Sequence, residues 1–207
     1  MRAFIYVGGE ILPSGIEETP CDGDLVIAAD SGYANAQALG ITPSVALGDF
    51  DSYDADALPE RIKKVSFPPK KDFTDSQLAV EYAIEEGCRE IVLIGGLSGR
   101  LDHTLSNLAI LEDLEQRKLG GIICDGFNRA RFLRNDSLIL PRSPHYRYFS
   151  ILAADERLRG VELDGCKYPL KHATVERVKQ FAVSNEIVGN CAFISVRCGG
   201  LWVIESR

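Results

Sequence analysis

Apolar residues in the first 125 positions come in short unbroken runs rather than in alternation. "AFIYV" (3–7), "LVIAA" (25–29), "SVALG" (44–48), "EIVLIG" (90–95) and "GIIC" (121–124) each read as a strand buried on both faces. "KVSF" (64–67) reads as a weaker strand, stopped by Pro68 and Pro69. Amphipathic stretches lie between them. Residues 33–39 read as a helix closed by Gly40, with Pro43 beyond. Thr74 is placed to cap a second helix, with Gln77 three residues on and Leu78, Ala79, Tyr82 and Ala83 sharing one face up to Gly87. Residues 103–118 read as a long helix with cations in its last turn. Continuous apolar strands alternating with helices predict an α/β fold: a mostly parallel, doubly wound sheet covered on both faces.

The texture changes after about residue 130. "SLILP", "YRYFSILAA", "GVELDG", "CAFISVR" and "LWVIES" are strand-like runs split by Gly, Pro and Asp, with one helical pattern around 174–181. This predicts a smaller antiparallel β domain, so the expected division is 1–130 and 131–207, with the boundary between Phe127 and Asp136. There is no internal repeat.

Composition narrows the function. At 207 residues the chain is long enough to bury a real core in one compact unit or two small domains. A net charge of −7 argues against a nucleic-acid or membrane-surface partner, because phosphates are repelled over most of the surface. "MRAFIYVGGE" is too short an apolar run for a signal peptide, and no stretch reaches membrane-spanning length. The six cysteines form no C-x-x-C pair, and most sit in or beside apolar runs, which predicts reduced, buried thiols in a cytoplasmic protein. The three histidines are scattered, so a His-rich metal site is not indicated.

In an open parallel sheet, ligands bind beyond the carboxyl ends of the strands. Three polar loops follow three of the expected strands directly: "ADSG" (29–32), "GDFDS" (48–52) and "GGLSGRLDH" (95–103). The topology therefore gathers Asp30, Asp49, Asp51, Arg100 and Asp102 at one edge. In an extended segment, residues i and i+2 face the same way, so Asp49 and Asp51 can address one centre. Two bare carboxylates that close repel, and a hard divalent cation removes the penalty. Mg²⁺ takes one or two carboxylates together with water and substrate phosphates. The D-x-D thus reads as a magnesium seat for a phosphorylated ligand, against the plainer reading of a solvated turn. It is not an EF-hand, because Asp54 occupies the obligatory glycine position and Pro59 precedes Glu60.

"PPKKDFTDSQLA" (68–79) adds Lys70 and Lys71 as point charges for phosphate oxygens, and Asp75 in the first turn of a helix. An ordinary capping box explains Thr74 and Gln77 without a ligand. "GGLSGRLDHTLSN" (95–107) is neither a Walker A loop nor a G-x-G-x-x-G fingerprint. Its glycines admit close approach of the backbone, Arg100 offers a fork for phosphate, and Asp102 and His103 stand at a helix start.

In this order and at these separations, "GDFDS", "KDFTD" and "GGLSGRLDHTLSN" resemble the thiamin pyrophosphokinase family. The resemblance extends to "GCKYPL" (165–170) and "SNEIVGN" (184–190), and so spans nearly the whole chain. It implies an α/β nucleotide-binding domain followed by a β-sandwich domain, in a homodimer with the thiamin site at the subunit interface. It implies Mg²⁺-dependent transfer of pyrophosphate from ATP to the hydroxyethyl oxygen of thiamin, giving thiamin diphosphate and AMP. By the family pattern Asp49, Asp51 and Asp75 are the magnesium ligands and the catalytic carboxylates. Asp30, Lys71, Arg100, Asp102 and His103 fall to the nucleotide, and Ser184 and Asn185 to thiamin. The general base stays open within the aspartate cluster. Trp202 can stack on a cationic ring, but its strand "LWVIES" fits ordinary packing better. Two rival readings remain: a nucleotide-sugar transferase, which leaves "KDFTD" and "SNEIVGN" unexplained, and a non-catalytic nucleotide or thiamin sensor, which has little use for so many carboxylates.

Overall fold

The structure is a computed structural model that describes residues 1–48, 59–66 and 73–207. The chain divides into two compact units, Met1–Gly126 and Phe127–Arg207.

The first unit carries β1 (Arg2–Tyr6), β2 (Leu25–Ala29), α1 (Gly32–Ala38), β3 (Val45–Gly48), β4 (Lys63–Ser66), α2 (Asp75–Glu85), β5 (Glu90–Ile94), α3 (Leu101–Gln116) and β6 (Gly120–Cys124). Its strands run in the order β6-β5-β1-β2-β3-β4, and every pairing among them is parallel. Chain order reverses at β1: β2, β3 and β4 are laid down on one side, then β5 and β6 on the other. The two faces are both used. Phe4, Tyr6, Val92, Ile94 and Cys124 pack with Ala36 of α1. Alternation sends Ile5, Leu93 and Ile123 to the opposite face. There Gly121 lies against Leu111 and Leu114 of α3, so close that an added Cβ would stand 2.8 Å from Leu114 Cδ1. The doubly wound α/β arrangement expected from the apolar runs is therefore present.

The capping box at the start of α2 forms as the sequence suggests. Gln77 N–H donates to Thr74 Oγ1 at 3.3 Å, and Thr74 N–H donates to Gln77 Oε1 at 2.9 Å. Gly40 and Gly87 follow α1 and α2 with positive φ, 70° and 88°. The cations expected inside the last turn of α3 lie just past it, at Arg117 and Lys118.

The second unit is all β: β7 (Asn128–Arg134), β8 (Ser137–Pro141), β9 (Tyr148–Ala153), β10 (Arg157–Asp164), β11 (Leu170–Glu176), β12 (Asn185–Glu186), β13 (Cys191–Cys198) and β14 (Gly200–Ser206). They form two antiparallel sheets, β12-β9-β14-β7 and β11-β10-β13-β8. Phe149, Ile151, Leu201 and Val203 of the first share one buried core with Leu140, Leu158, Val161, Val175 and Ile194 of the second. Inward and outward residues alternate, as in any two-sheet sandwich.

Three expectations need correction. The helical pattern around 174–181 is not a helix: Leu170–Glu176 is strand β11, paired with β10 through Arg157↔Glu176 and Leu158↔Val175. Cross-strand burial of Val175 overrides the local spacing. β7 was not anticipated at all. Half the cysteines are not buried: Cys88, Cys124 and Cys166 are, whereas Cys21, Cys191 and Cys198 are exposed. Among the described residues no helix is long and apolar enough to cross a membrane.

Candidate active site

The reversal at β1 fixes where a ligand can sit. The loops after β1 and β5 leave neighbouring parallel strands for opposite sides, and a crevice opens between them. In this unit a cleft of about 430 Å³ lies there. Gly8 and Gly9 after β1, Asp30 and Ser31 after β2, Thr74, Asp75 and Ser76 at the start of α2, and Gly96, Ser98, Gly99 and Arg100 after β5 line it, with His103 and Asn107 of α3.

Sequence forces this shape locally. A Cβ on Gly32 would stand 2.0 Å from the Tyr6 carbonyl oxygen, so only glycine lets α1 begin this close to the end of β1. Gly96 holds φ at 77°, and an added Cβ would stand 2.6 Å from Asn107 Nδ2. That amide donates to the Gly96 carbonyl at 2.9 Å. Asn35 Nδ2 donates to Val7 O at 2.7 Å and to Gly9 O at 3.0 Å. Ser98 Oγ accepts from Glu10 N–H at 2.7 Å and ties the two glycine loops together. Asn35 and Asn107 were not singled out from sequence. Their signal was an amide on the inward side of a helix facing a glycine loop.

Of the candidate residues, Asp30, Asp75, Arg100 and His103 reach the same cleft. Asp30 sits at φ 48°, a left-handed conformation that aspartate tolerates. Its Oδ1 is buried without a hydrogen-bond partner among the described residues. A desolvated carboxylate oxygen with no donor is costly, and a ligand-borne cation or donor offsets that cost. Asp75 opens α2, where backbone N–H groups also point outward. Asp102 stands beside the cleft wall rather than in it. Arg100 grips it with Nε at 3.2 Å and Nη2 at 2.6 Å. The Arg100 hydrogen bond holds the Asp102 carboxyl below the usual carboxylate range. Asp49, Asp51, Lys70 and Lys71 lie outside the described residues.

Ser184 and Asn185 belong to the second unit. Ser184 is exposed at φ 55°, its N–H donating to Ser150 Oγ at 3.0 Å. Asn185 is only 2 % exposed. Its Oδ1 accepts from Tyr168 N–H at 3.0 Å, and its Nδ2 donates to Tyr168 O at 2.9 Å and Cys166 Sγ at 3.3 Å. The amide is spent inside the unit, where it clamps "GCKYPL" against "SNEIVGN". The Tyr168 ring it holds is 59 % exposed. Trp202 meets Phe132 edge-on, centroids 5.8 Å apart, which is packing geometry.

Comparison with known proteins gives one consistent result. Residues 21–123 match the family model "Thiamin pyrophosphokinase, catalytic domain", and residues 137–201 match "Thiamin pyrophosphokinase, vitamin B1 binding domain". A thiamine pyrophosphokinase of Bacillus subtilis is 28 % identical over 187 residues, covering 88 % of this chain and 87 % of that protein. The crystal structure of a thiamin pyrophosphokinase from Geobacillus thermodenitrificans superposes with a TM-score of 0.86 at 28 % identity, covering 100 % of this chain and 98 % of the other. The Bacillus subtilis structure gives 0.87 at 26 % identity, covering 100 % and 99 %.

Proposed function

The chain belongs to the thiamin pyrophosphokinase family, and from that premise we propose how its own residues carry the reaction. It is an enzyme of that family, which transfers the pyrophosphoryl group of ATP to thiamin. The observation that carries the residue assignment is the cleft at the β1 reversal, where Asp30, Asp75, Arg100 and His103 converge. ATP binds there. Gly8–Gly9 and Gly96–Gly99 bring backbone against the phosphates, and the first turn of α2 presents N–H groups. Arg100 turns its fork from Asp102 to a phosphate, and Lys71 adds a point charge.

Asp49, Asp51 and Asp75 form the seat for Mg²⁺. The donor set fits a hard cation, since it is all carboxylate oxygen, and the partnerless Asp30 oxygen marks a wall in want of positive charge. When bound, the ion neutralises charge on the transferring group. The thiamin hydroxyl oxygen attacks the β-phosphorus, and the new O–P bond forms as the bond to the α–β bridging oxygen breaks. AMP leaves with that electron pair. The hydroxyl proton passes to a carboxylate of the aspartate cluster, which serves as general base.

On the acceptor side, Asn185 fixes Tyr168, whose exposed ring offers a face to the cationic thiamin heterocycle. Ser184, on the exposed side of the same segment, is free to hydrogen-bond the substrate. Around it Phe181, Val183 and Val188 are 55 %, 44 % and 64 % exposed. So much apolar surface beside a substrate segment suits a homodimer with the active site at the subunit interface. Finding only monomer by sedimentation of an active preparation would overturn that. The cell compartment in this reading is the cytoplasm.

The direct test incubates the protein with ATP, Mg²⁺ and thiamin and follows AMP and thiamin diphosphate by chromatography. Equal amounts of both are expected, abolished by EDTA and restored by excess Mg²⁺. Turnover indifferent to EDTA would remove the metal from the assignment.

A further inference from the structure

The loop that follows β1 has all its carbonyls occupied and its glycine donors left over. Val7 O and Gly9 O both accept from Asn35 Nδ2, at 2.7 Å and 3.0 Å. Gly8 O accepts from Gly96 N–H at 3.0 Å. The N–H groups of Gly8 and Gly9 have no partner among the described residues, and both glycines line the cleft. A planar trans peptide points its C=O and N–H to opposite sides. Holding the Val7 carbonyl toward α1 therefore turns the Gly8 N–H away from α1. Asn35 itself does not line the cleft. Its Nδ2 also abuts the second glycine loop, where a Cβ on Gly95 would stand 3.2 Å from it. Asn107 repeats the device from α3, on the other face of the sheet, with its Nδ2 on the Gly96 carbonyl at 2.9 Å.

The residue type follows from the task. Two carbonyl oxygens served by one side-chain nitrogen require two hydrogens on a short arm, which asparagine supplies. Leucine has the bulk without the donors, and aspartate would set a third oxygen against the other two. Phosphate oxygens are repelled by carbonyl lone pairs and attracted by oriented N–H groups. We propose that Asn35 is a positioning residue for the triphosphate. It holds the Val7 and Gly9 carbonyls on the α1 side and so leaves the N–H groups of the loop to the anion. Asn107 does the same for Gly96 after β5. This inference rests on the reading of the cleft as the ATP site.

The experiment compares Asn35→Ala and Asn35→Leu with wild type in steady-state kinetics, varying ATP and thiamin in turn, beside urea unfolding curves. Asn35 is half-buried on α1, and both replacements are better helix formers, so the fold should survive. KM for ATP is expected to rise about tenfold or more in both variants, the usual worth of a hydrogen bond to a charged group. KM for thiamin and the urea midpoint should stay close to wild type, a split that a merely structural role would not produce. An unmoved KM for ATP in the folded variants overturns the proposal. So does a joint rise of both KM values, or a large drop in the urea midpoint, since either makes the amide a general clamp of the fold. If Asn35→Leu behaves as wild type and Asn35→Ala does not, bulk rather than the donor is the cause, and the proposal falls. Failure of the cleft assignment looks different: the wild type itself would then release no AMP from ATP and thiamin.

Discussion

The two units differ most in charge. Residues 1–126 hold ten Lys and Arg against twenty-two Asp and Glu, a net −12, whereas residues 127–207 hold thirteen against eight, a net +5. The acidic unit carries the cleft proposed for a polyanionic nucleotide, and the basic unit carries the segment proposed for a cationic vitamin. Each ligand therefore meets the wrong overall field. Long-range attraction cannot be what selects them, so recognition has to be local. In the proposed reading it rests, in the first unit, on backbone N–H groups, one arginine fork and a metal seat, and in the second on an aromatic face held in place by a buried amide. The contrast also separates what each substitution should damage: chemistry in the first unit, acceptor binding and folding in the second.

The largest expected effect is in the acidic unit. Asp75→Asn keeps the size of the side chain and the helix start but removes a charge from the proposed magnesium seat. If the reading is right, kcat falls on the order of 10²-fold or more, in the range for loss of a charged catalytic group, while the urea midpoint barely moves. Steady-state kinetics beside an unfolding curve checks both halves. A variant of near-normal kcat would take Asp75 out of the cluster.

Asn185→Leu should break the other way. It removes the partners of Tyr168 N–H and C=O in a part-buried position, at about 1 kcal/mol of stability for each lost hydrogen bond. The freed Tyr168 should raise KM for thiamin and leave KM for ATP alone. If both constants rise together, the two units are not dividing the substrates as proposed.

The same contrast explains what could be read in the chain. Parallel strands buried on both faces show as unbroken apolar runs, and polar loops follow them directly in sequence, so the first unit and the gathering of Asp30 and Arg100 at one sheet edge were legible, whereas Asp102, expected with them, stands beside the cleft. In the second unit the signal is hidden. β7 reads "NRARFLR", and its arginines mask a strand because Arg129 and Arg131 turn to Glu205 and Arg134 to Asp155, partners seventy-six, seventy-four and twenty-one residues away. Such pairing exists only after folding. The same holds for "HATVERVKQ", where helical spacing loses to the antiparallel partner β10, leaving Val178 87 % exposed beyond the strand. Cys191 and Cys198 sit in an apolar run yet fall at exposed ends of β13, a distinction that only the register makes. The inward contacts of Asn185 were not legible: its amide faces Tyr168 rather than solvent, which no local pattern indicates.

The smallest predicted effect concerns pH and the cations of the second unit. Asp155 accepts from Arg134 Nη1 at 2.8 Å and Nη2 at 3.1 Å, and from Gly200 N–H at 2.9 Å. The Arg134 hydrogen bond, the largest influence, holds this carboxyl below its ordinary value. Its folded pKa therefore lies below its unfolded one, so acid favours the unfolded chain. The stabilisation is complete above the ordinary carboxylate range and is lost as pH falls through the folded value. The pair is 29 % and 39 % exposed, and solvent screening limits it to about 1 kcal/mol or less. Asp155→Asn should thus be slightly less stable than wild type in urea at neutral pH, and the gap should close toward pH 3. A gap that persists unchanged in acid would mean that Arg134 is held by packing, through the Phe132 ring 5.5 Å away, and that the positive excess of the second unit is compensated elsewhere.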